Sequence, residues 1–244
     1  MEGIMFRLAL FILVTSQFAF AGALENVRER VEGSSNPVII FDLDDTLTDS
    51  RERMLRVFHS LGPEFEKLHY RDLQYEPGDT LKHIGYTDAA MIEKISNAWY
   101  ERFFSNAYVA GDRALPGAVQ YVQAVYDEGA TIVYLTGRDA PRMKEGTLKS
   151  LKLNRFPLGK RTILRMKPDK SLSDAQFKKS EIEWIGNQGD VVAVFENEPT
   201  NINLLVDGFP KSQPIFVDTI HSPKPVEPYP TIPWILDFRL DLRE

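Results

Sequence analysis

The rhythm of hydrophobic positions changes several times along the chain. Val38-Ile39-Ile40-Phe41 follows Pro37 without a polar break and stops at Asp42. A run apolar on both faces is what a strand inside a parallel sheet requires, and proline is tolerated at a strand's first residue. From Asp49 to about Leu115 the pattern is helical. Met91, Ile92, Ile95, Ala98, Trp99 and Phe103 recur at spacings of three and four, Thr87 is placed as an N-cap, and no strand is expected there. Pro116-Gly117 opens a helix, Ala118 to Asp127, that Gly129 terminates. Strands and helices then alternate. The expected order is a strand at Thr131–Leu135, a helix from about Pro141, a strand at Ile163–Arg165, and a helix from the Ser173/Gln176 capping box to about Gly186. A buried strand at Val191–Phe195, a short helix at Pro199–Val206 and a last strand at Ile215–Asp218 follow.

That alternation predicts an α/β fold, a three-layer Rossmann-like parallel sheet with helices on both faces. The expected boundaries are a core from 34–48 and 115–225 and an α-helical cap, 49–114, inserted after the first strand. The cap would cover the carboxyl edge of the sheet, where ligands bind in such folds. Residues 226–244 form a proline-rich tail in which no regular element is expected, with Trp234, Ile235 and Phe238 pinning it to the core.

The first residues differ from the rest. Leu8 to Phe20 is almost wholly apolar, and Ala19-Phe20-Ala21 and Ala21-Gly22-Ala23 offer small-x-small cleavage sites. This is the layout of a secretory signal peptide, taken as 1–21, and the run is short for a bilayer span of roughly 20 residues. Export to the periplasm or beyond is the expectation, with no transmembrane segment left after cleavage. The chain has no cysteine, which excludes disulfides, thiolate catalysis and a lipid-modified N-terminal cysteine. Its net charge of -6 gives no sign of the basic face that nucleic-acid binding needs.

Polar clusters stand just past three of the expected strands, on one rim of the sheet. The first is Asp42-Leu43-Asp44-Asp45-Thr46. Carboxyls two residues apart at a strand end can turn toward one point, where a cation or a shared proton must hold them. Magnesium suits such oxygen ligands, and an ionised Asp beside it is a competent nucleophile toward phosphorus. The stretch VIIFDLDDTL resembles the first motif of the haloacid-dehalogenase-like (HAD) superfamily. The second cluster, Thr136-Gly137-Arg138 after TIVYL, resembles the family's second motif, in which the hydroxyl and nearby backbone N–H groups bind the phosphoryl group. For the family's lysine the candidates are Lys167, Lys170, Lys178 and Lys179, and DAQFKKSEI favours Lys178. The final motif departs from the family. After VVAVF the family usually presents Asp, whereas this chain has Glu196-Asn197-Glu198-Pro199-Thr200-Asn201, with Glu196 at the ligand position and Glu198 as the alternative. Asn201 would order that loop.

The resemblance implies a magnesium-dependent phosphatase acting on a small phosphorylated substrate. Asp42 would be the nucleophile and Asp44 the acid–base; Thr136, Gly137 and Lys178 would bind phosphate, and Asp42, Asp44 and Glu196 the metal. The second Asp sets phosphatases of the family apart from its dehalogenases. Two alternatives remain at this point, a phosphotransferase or mutase, and a binding protein that lost turnover through the change at Glu196. Arg138 and Asp139 are further candidates for substrate contact. His59, His69, His83 and His221 are expected to be surface or packing residues.

Overall fold

The structure is a computed structural model, and it describes residues 22–223 and 225–239. The expected signal peptide lies outside the described residues. The described chain opens in a helix, α1 (22–32), and continues into β1 (Pro37–Phe41). A short strand β2 (Thr48–Asp49) leads to the helical segment α2 (Arg51–His59), α3 (Pro77–His83), α4 (Ala89–Phe103) and α5 (Asn106–Val109). It closes with β3 (Arg113–Ala114). Then come α6 (Ala118–Asp127), β4 (Thr131–Asp139), α7 (Ala140–Asn154), β5 (Thr162–Lys167), α8 (Asp174–Gly186) and β6 (Asp190–Glu196). α9 (Pro199–Gly208), β7 (Gln213–Val217) and β8 (Trp234–Ile235) complete the order.

Six strands form one sheet, ordered β5-β4-β1-β6-β7-β8, and every pairing in it is parallel. β1 is central, and its alternate residues feed different layers. Ile39 and Phe41 pack with α1, α6 and Leu151 of α7, whereas Val38 and Ile40 pack with Phe177 and Ile185 of α8 and Ile202 and Leu205 of α9. Covered on both faces, the strand is apolar at every position. The three-layer α/β expectation is met.

The segment from α2 to α5 has its own core, built on Met54, Val57, Phe58, Phe65, Leu68, Leu81 and Trp99. No strand was expected there, but β2 and β3 pair antiparallel, Thr48 with Ala114 and Asp49 with Arg113. Two-residue strands have no periodicity to read. This ribbon ties together the entry and exit of the insert.

Other expectations need correction. The N-cap of α4 is Asp88, not Thr87; its carboxylate accepts from Met91 N at 3.0 Å, and Met91 itself is exposed. β4 does not stop at Leu135. It continues to Asp139 with a register shift after Thr136, so Thr136-Gly137-Arg138 lies within the strand's irregular end rather than beyond it. The tail does contain a strand, because β8 pairs with β7, Phe216 opposite Trp234. Ile235 and Phe238 are buried as expected, whereas the Trp234 side chain is 40% exposed. Gly117, at φ 77°, starts α6 where any side chain would collide with the Phe238 backbone, so the tail docks against a glycine.

Candidate active site

β1 and β6 lie side by side with Phe41 opposite Phe195, and the next residues are Asp42 and Glu196. The two rings stack at 4.6 Å, which fixes the strand ends that carry both acids. Asp42 is 6% exposed, and its N–H donates to Phe195 O at 3.0 Å. Opposite them, the Ser173/Gln176 capping box sets the start of α8, Phe177 enters the core, and Lys178 points to the strand ends. Lys178 Nζ donates to Asp42 Oδ1 at 2.6 Å and to Glu196 Oε2 at 2.5 Å.

Of the four candidate lysines, Lys178 is the one buried between the two acids. Lys179 and Lys170 are exposed, and Lys167 is held by Leu172 O at 3.1 Å and Asp174 at 2.7 Å. Burial raises the pKa of Asp42 and of Glu196, and the charge of Lys178 opposes both shifts. Burial would likewise deprotonate Lys178, but the two carboxylates outweigh it and keep the lysine charged. One lysine balances one carboxylate, which leaves a surplus negative charge.

Glu196 Oε1 accepts from the N–H groups of Asn197 and Glu198, at 3.2 and 3.0 Å. Glu198 turns away from this group. Its carboxylate accepts from Ser222 N at 2.9 Å, Ser222 Oγ at 2.7 Å and Tyr75 Oη at 3.1 Å. Among the described residues, no three His, Cys, Asp or Glu side chains stand together as a ready metal cage. The donor set nevertheless fits a hard divalent cation. Two buried carboxylates share one lysine, and eight acidic against five basic side chains line the surrounding cleft.

Asp44 has different partners. Arg138 grips its carboxylate with Nε and Nη2, both at 2.8 Å, and Arg53 Nη2 donates to the same Oδ1. Burial raises the Asp44 pKa, but the two guanidinium charges overcome it and hold the carboxyl well below the usual carboxylate range. Asp112, 2% exposed, balances the arginines, with Oδ2 2.7 Å from Arg138 Nη2. Arg53 is fully buried and lies over the Phe103 ring at 4.0 Å. The sequence reading missed Arg53 and Asp112. The available signal was an arginine inside the apolar face of α2, beside Met54, Val57 and Phe58, a place that demands an acid partner.

Thr136 is fully buried, and its Oγ1 accepts from Arg138 N at 3.2 Å. Gly137 does line the cleft, and a side chain there would strike the Asp174 carboxylate at the start of α8. Asn201 also lines it, in the first turn of α9. Thr46 Oγ1 donates to Asn197 at 3.2 Å, joining the first and last motifs. None of the four histidines lines the cleft.

The cleft has a volume of about 390 Å³ and lies between sheet edge and insert. Asp42, Lys178 and Glu196 face Tyr75, Tyr100 and Phe104 across it. Two buried carboxylates at the ends of adjacent strands, held by one buried lysine, thus sit at the carboxyl edge of the sheet with the arginine-clamped Asp44 lining the same cleft. A family model for the HAD superfamily, subfamily IIIB (acid phosphatase), matches residues 79–201. The chain belongs to that family.

It is therefore an enzyme, a HAD-type phosphatase, in a family that generally uses a divalent metal. The matched stretch takes in Thr136, Lys178 and Glu196 and leaves Asp42 and Asp44 on its N-terminal side. Solved structures agree on the fold. A provisionally assigned phosphatase from Clostridium difficile is 16% identical with a TM-score of 0.53, over 75% of this chain and 85% of that one. A haloacid-dehalogenase-like hydrolase from Streptococcus pneumoniae is 12% identical with a TM-score of 0.51, over 75% and 84%. A dehalogenase is 17% identical with a TM-score of 0.50, over 84% and 94%. No curated protein matches the chain.

Proposed function

We propose that this HAD phosphatase hydrolyses small phosphomonoesters through an aspartyl phosphate on Asp42, with magnesium as its metal. The observation that carries the reading is the buried Asp42–Lys178–Glu196 group at the cleft floor. Asp42 and Glu196 would hold the ion, which supplies charge neutralisation on the phosphoryl oxygens when bound. Asp42 Oδ2 has no hydrogen-bond partner among the described residues and is the free oxygen that attacks phosphorus in line. The P–O bond to the leaving group breaks as the O–P bond to Asp42 forms. Lys178 then offsets charge on both the carboxylate and the transferred group. Gly137 has no side chain of its own to keep its backbone N–H from a phosphoryl oxygen.

Asp44 is the acid–base candidate, and its two arginines favour one half of that role. Held ionised, it is ready to take a proton from the water that cleaves the aspartyl phosphate. It is poorly loaded to give a proton to the leaving oxygen. Formation of the phosphoenzyme should therefore depend steeply on leaving-group pKa. Export remains part of the proposal, on the apolar stretch and small residues that precede Gly22.

The test is release of inorganic phosphate from an aryl phosphate with magnesium, without it and with chelator. Activity that needs the metal and disappears in Asp42→Asn supports the reading. Undiminished turnover in Asp42→Asn with unchanged melting would rule Asp42 out as nucleophile.

A further inference from the structure

We propose that Tyr75 is a specificity-determining latch, whose phenol ties the insert to the core across the cleft and limits the size of ester admitted. This rests on the phosphatase reading of the same cleft. Tyr75 lies in the short connection 73–76 ahead of α3, and both Tyr75 and Glu198 line the cleft, from opposite walls. Its hydroxyl donates to Glu198 Oε1 at 3.1 Å. Among the described residues this is the only hydrogen bond between 60–104 and 115–223.

Both ends of the bond are braced. On the insert side, Gln74 N donates to the fully buried Thr80 Oγ1 at 2.9 Å, and Tyr100 Oη donates to Glu76. On the core side, Ser222 fixes Glu198 through two hydrogen bonds, and Glu198 sits two residues beyond Glu196. The insert is also tied near its chain ends, by the β2–β3 ribbon, by Arg53 on Asp44 and by α5 against α7, where Gly146 N donates to Asn106 Oδ1 at 2.7 Å. Fixed at that edge, it can open only at the other. There, besides Tyr75, it meets the core through Ile220 packed on the insert's apolar cluster and Arg142 over the Phe104 ring. Neither of these is a directional bond. Tyr75–Glu198 therefore sets how far the wall stands from the floor.

A hydrogen bond to a charged acceptor at a partly exposed site biases a closed form over an open one by about tenfold. Substituting Tyr75→Phe keeps the ring and removes the bond. The experiment compares kcat/KM for phenyl phosphate and for a phosphotyrosine peptide in the wild type, Tyr75→Phe, Glu198→Gln and the double variant. The ratio of the bulky to the small ester should rise about tenfold in Tyr75→Phe and rise no further in the double variant. An unchanged ratio, or equal loss on both esters, overturns the latch. Amide exchange across 73–76 gives a readout that needs no turnover. Exchange should quicken in Tyr75→Phe, and an unchanged rate also overturns the proposal. A wild type that releases phosphate from neither ester would fail the phosphatase reading, and the exchange rates would still decide on the latch.

Discussion

Replacing Lys178 with methionine removes the only cation between two buried carboxylates while keeping most of the side chain's volume. Asp42 and Glu196, 6% and 0% exposed, would then face each other with no counter-charge. Breaking a buried ion pair by deleting one partner costs about 3–5 kcal/mol, because the remaining charge is left uncompensated. Here two charges remain, so the upper part of that range applies at pH 8. The cost should shrink at pH 5. Burial already raises both carboxyls in the wild type, and without the lysine both rise further. The folded variant then holds protons that the unfolded chain has released, so its stability falls as pH rises above about 4. Urea unfolding of Lys178→Met at pH 5 and pH 8 measures this directly. Lys179→Met, at an exposed position in the same helix, should stay within about 0.5 kcal/mol of wild type at both values. Magnesium should recover part of the loss by taking over the missing charge. A cost below about 1 kcal/mol at pH 8, or an equal cost at both pH values, would refute the charge assignment.

Burial raises the Asp45 pKa to about 7, against the bonds it accepts from Ser50. Its contribution to stability is therefore complete below about pH 4 and lost as pH rises toward 7, and Asp45→Asn should flatten that limb of a pH series of urea melts. If Glu196 is a metal ligand, Glu196→Ala should weaken magnesium binding strongly and Glu196→Asp should retain it. Calorimetry giving one affinity for all three proteins would remove Glu196 from the metal site. Processing should follow Ala21 rather than Ala23, because Ala23 and Leu24 are 4% and 1% exposed and Tyr121 donates to Leu24 O at 3.0 Å. N-terminal sequencing of protein from the producing cell that begins at Met1 or Leu24 would contradict this.

The parts of the fold legible in the sequence are those with a period. β1, β4 and β6 were visible because apolar runs covered on both faces leave no polar interruption. α8 was visible through its capping box, and the resemblance of DAQFKKSEI to the family's lysine segment favoured Lys178. β2, β3 and β8, of two residues each, have no period, and they exist because distant segments meet. The same limit hid half of the site. Asp42 and Glu196 sit at strand ends and show in the sequence, whereas the two partners of Asp44 come from α2 and β4, and the acid that balances them is the residue before β3. Arg53 and Asp112 are 59 residues apart in sequence, and no local pattern joins them. That is why Asp44 read as an acid–base residue and metal ligand and stands in the structure as a carboxylate clamped by two arginines.

The central claim is that Asp42 carries the phosphoryl group during turnover. Mixing the enzyme with magnesium and an aryl phosphate, quenching in acid within the first turnovers and mapping the digested peptides by mass spectrometry tests it most directly. The account predicts a phosphoryl group on Asp42 that is lost on treatment with hydroxylamine and absent from Asp42→Asn. Rapid phosphate release with no phosphorylated peptide, or a phosphoryl group on another residue, would contradict it.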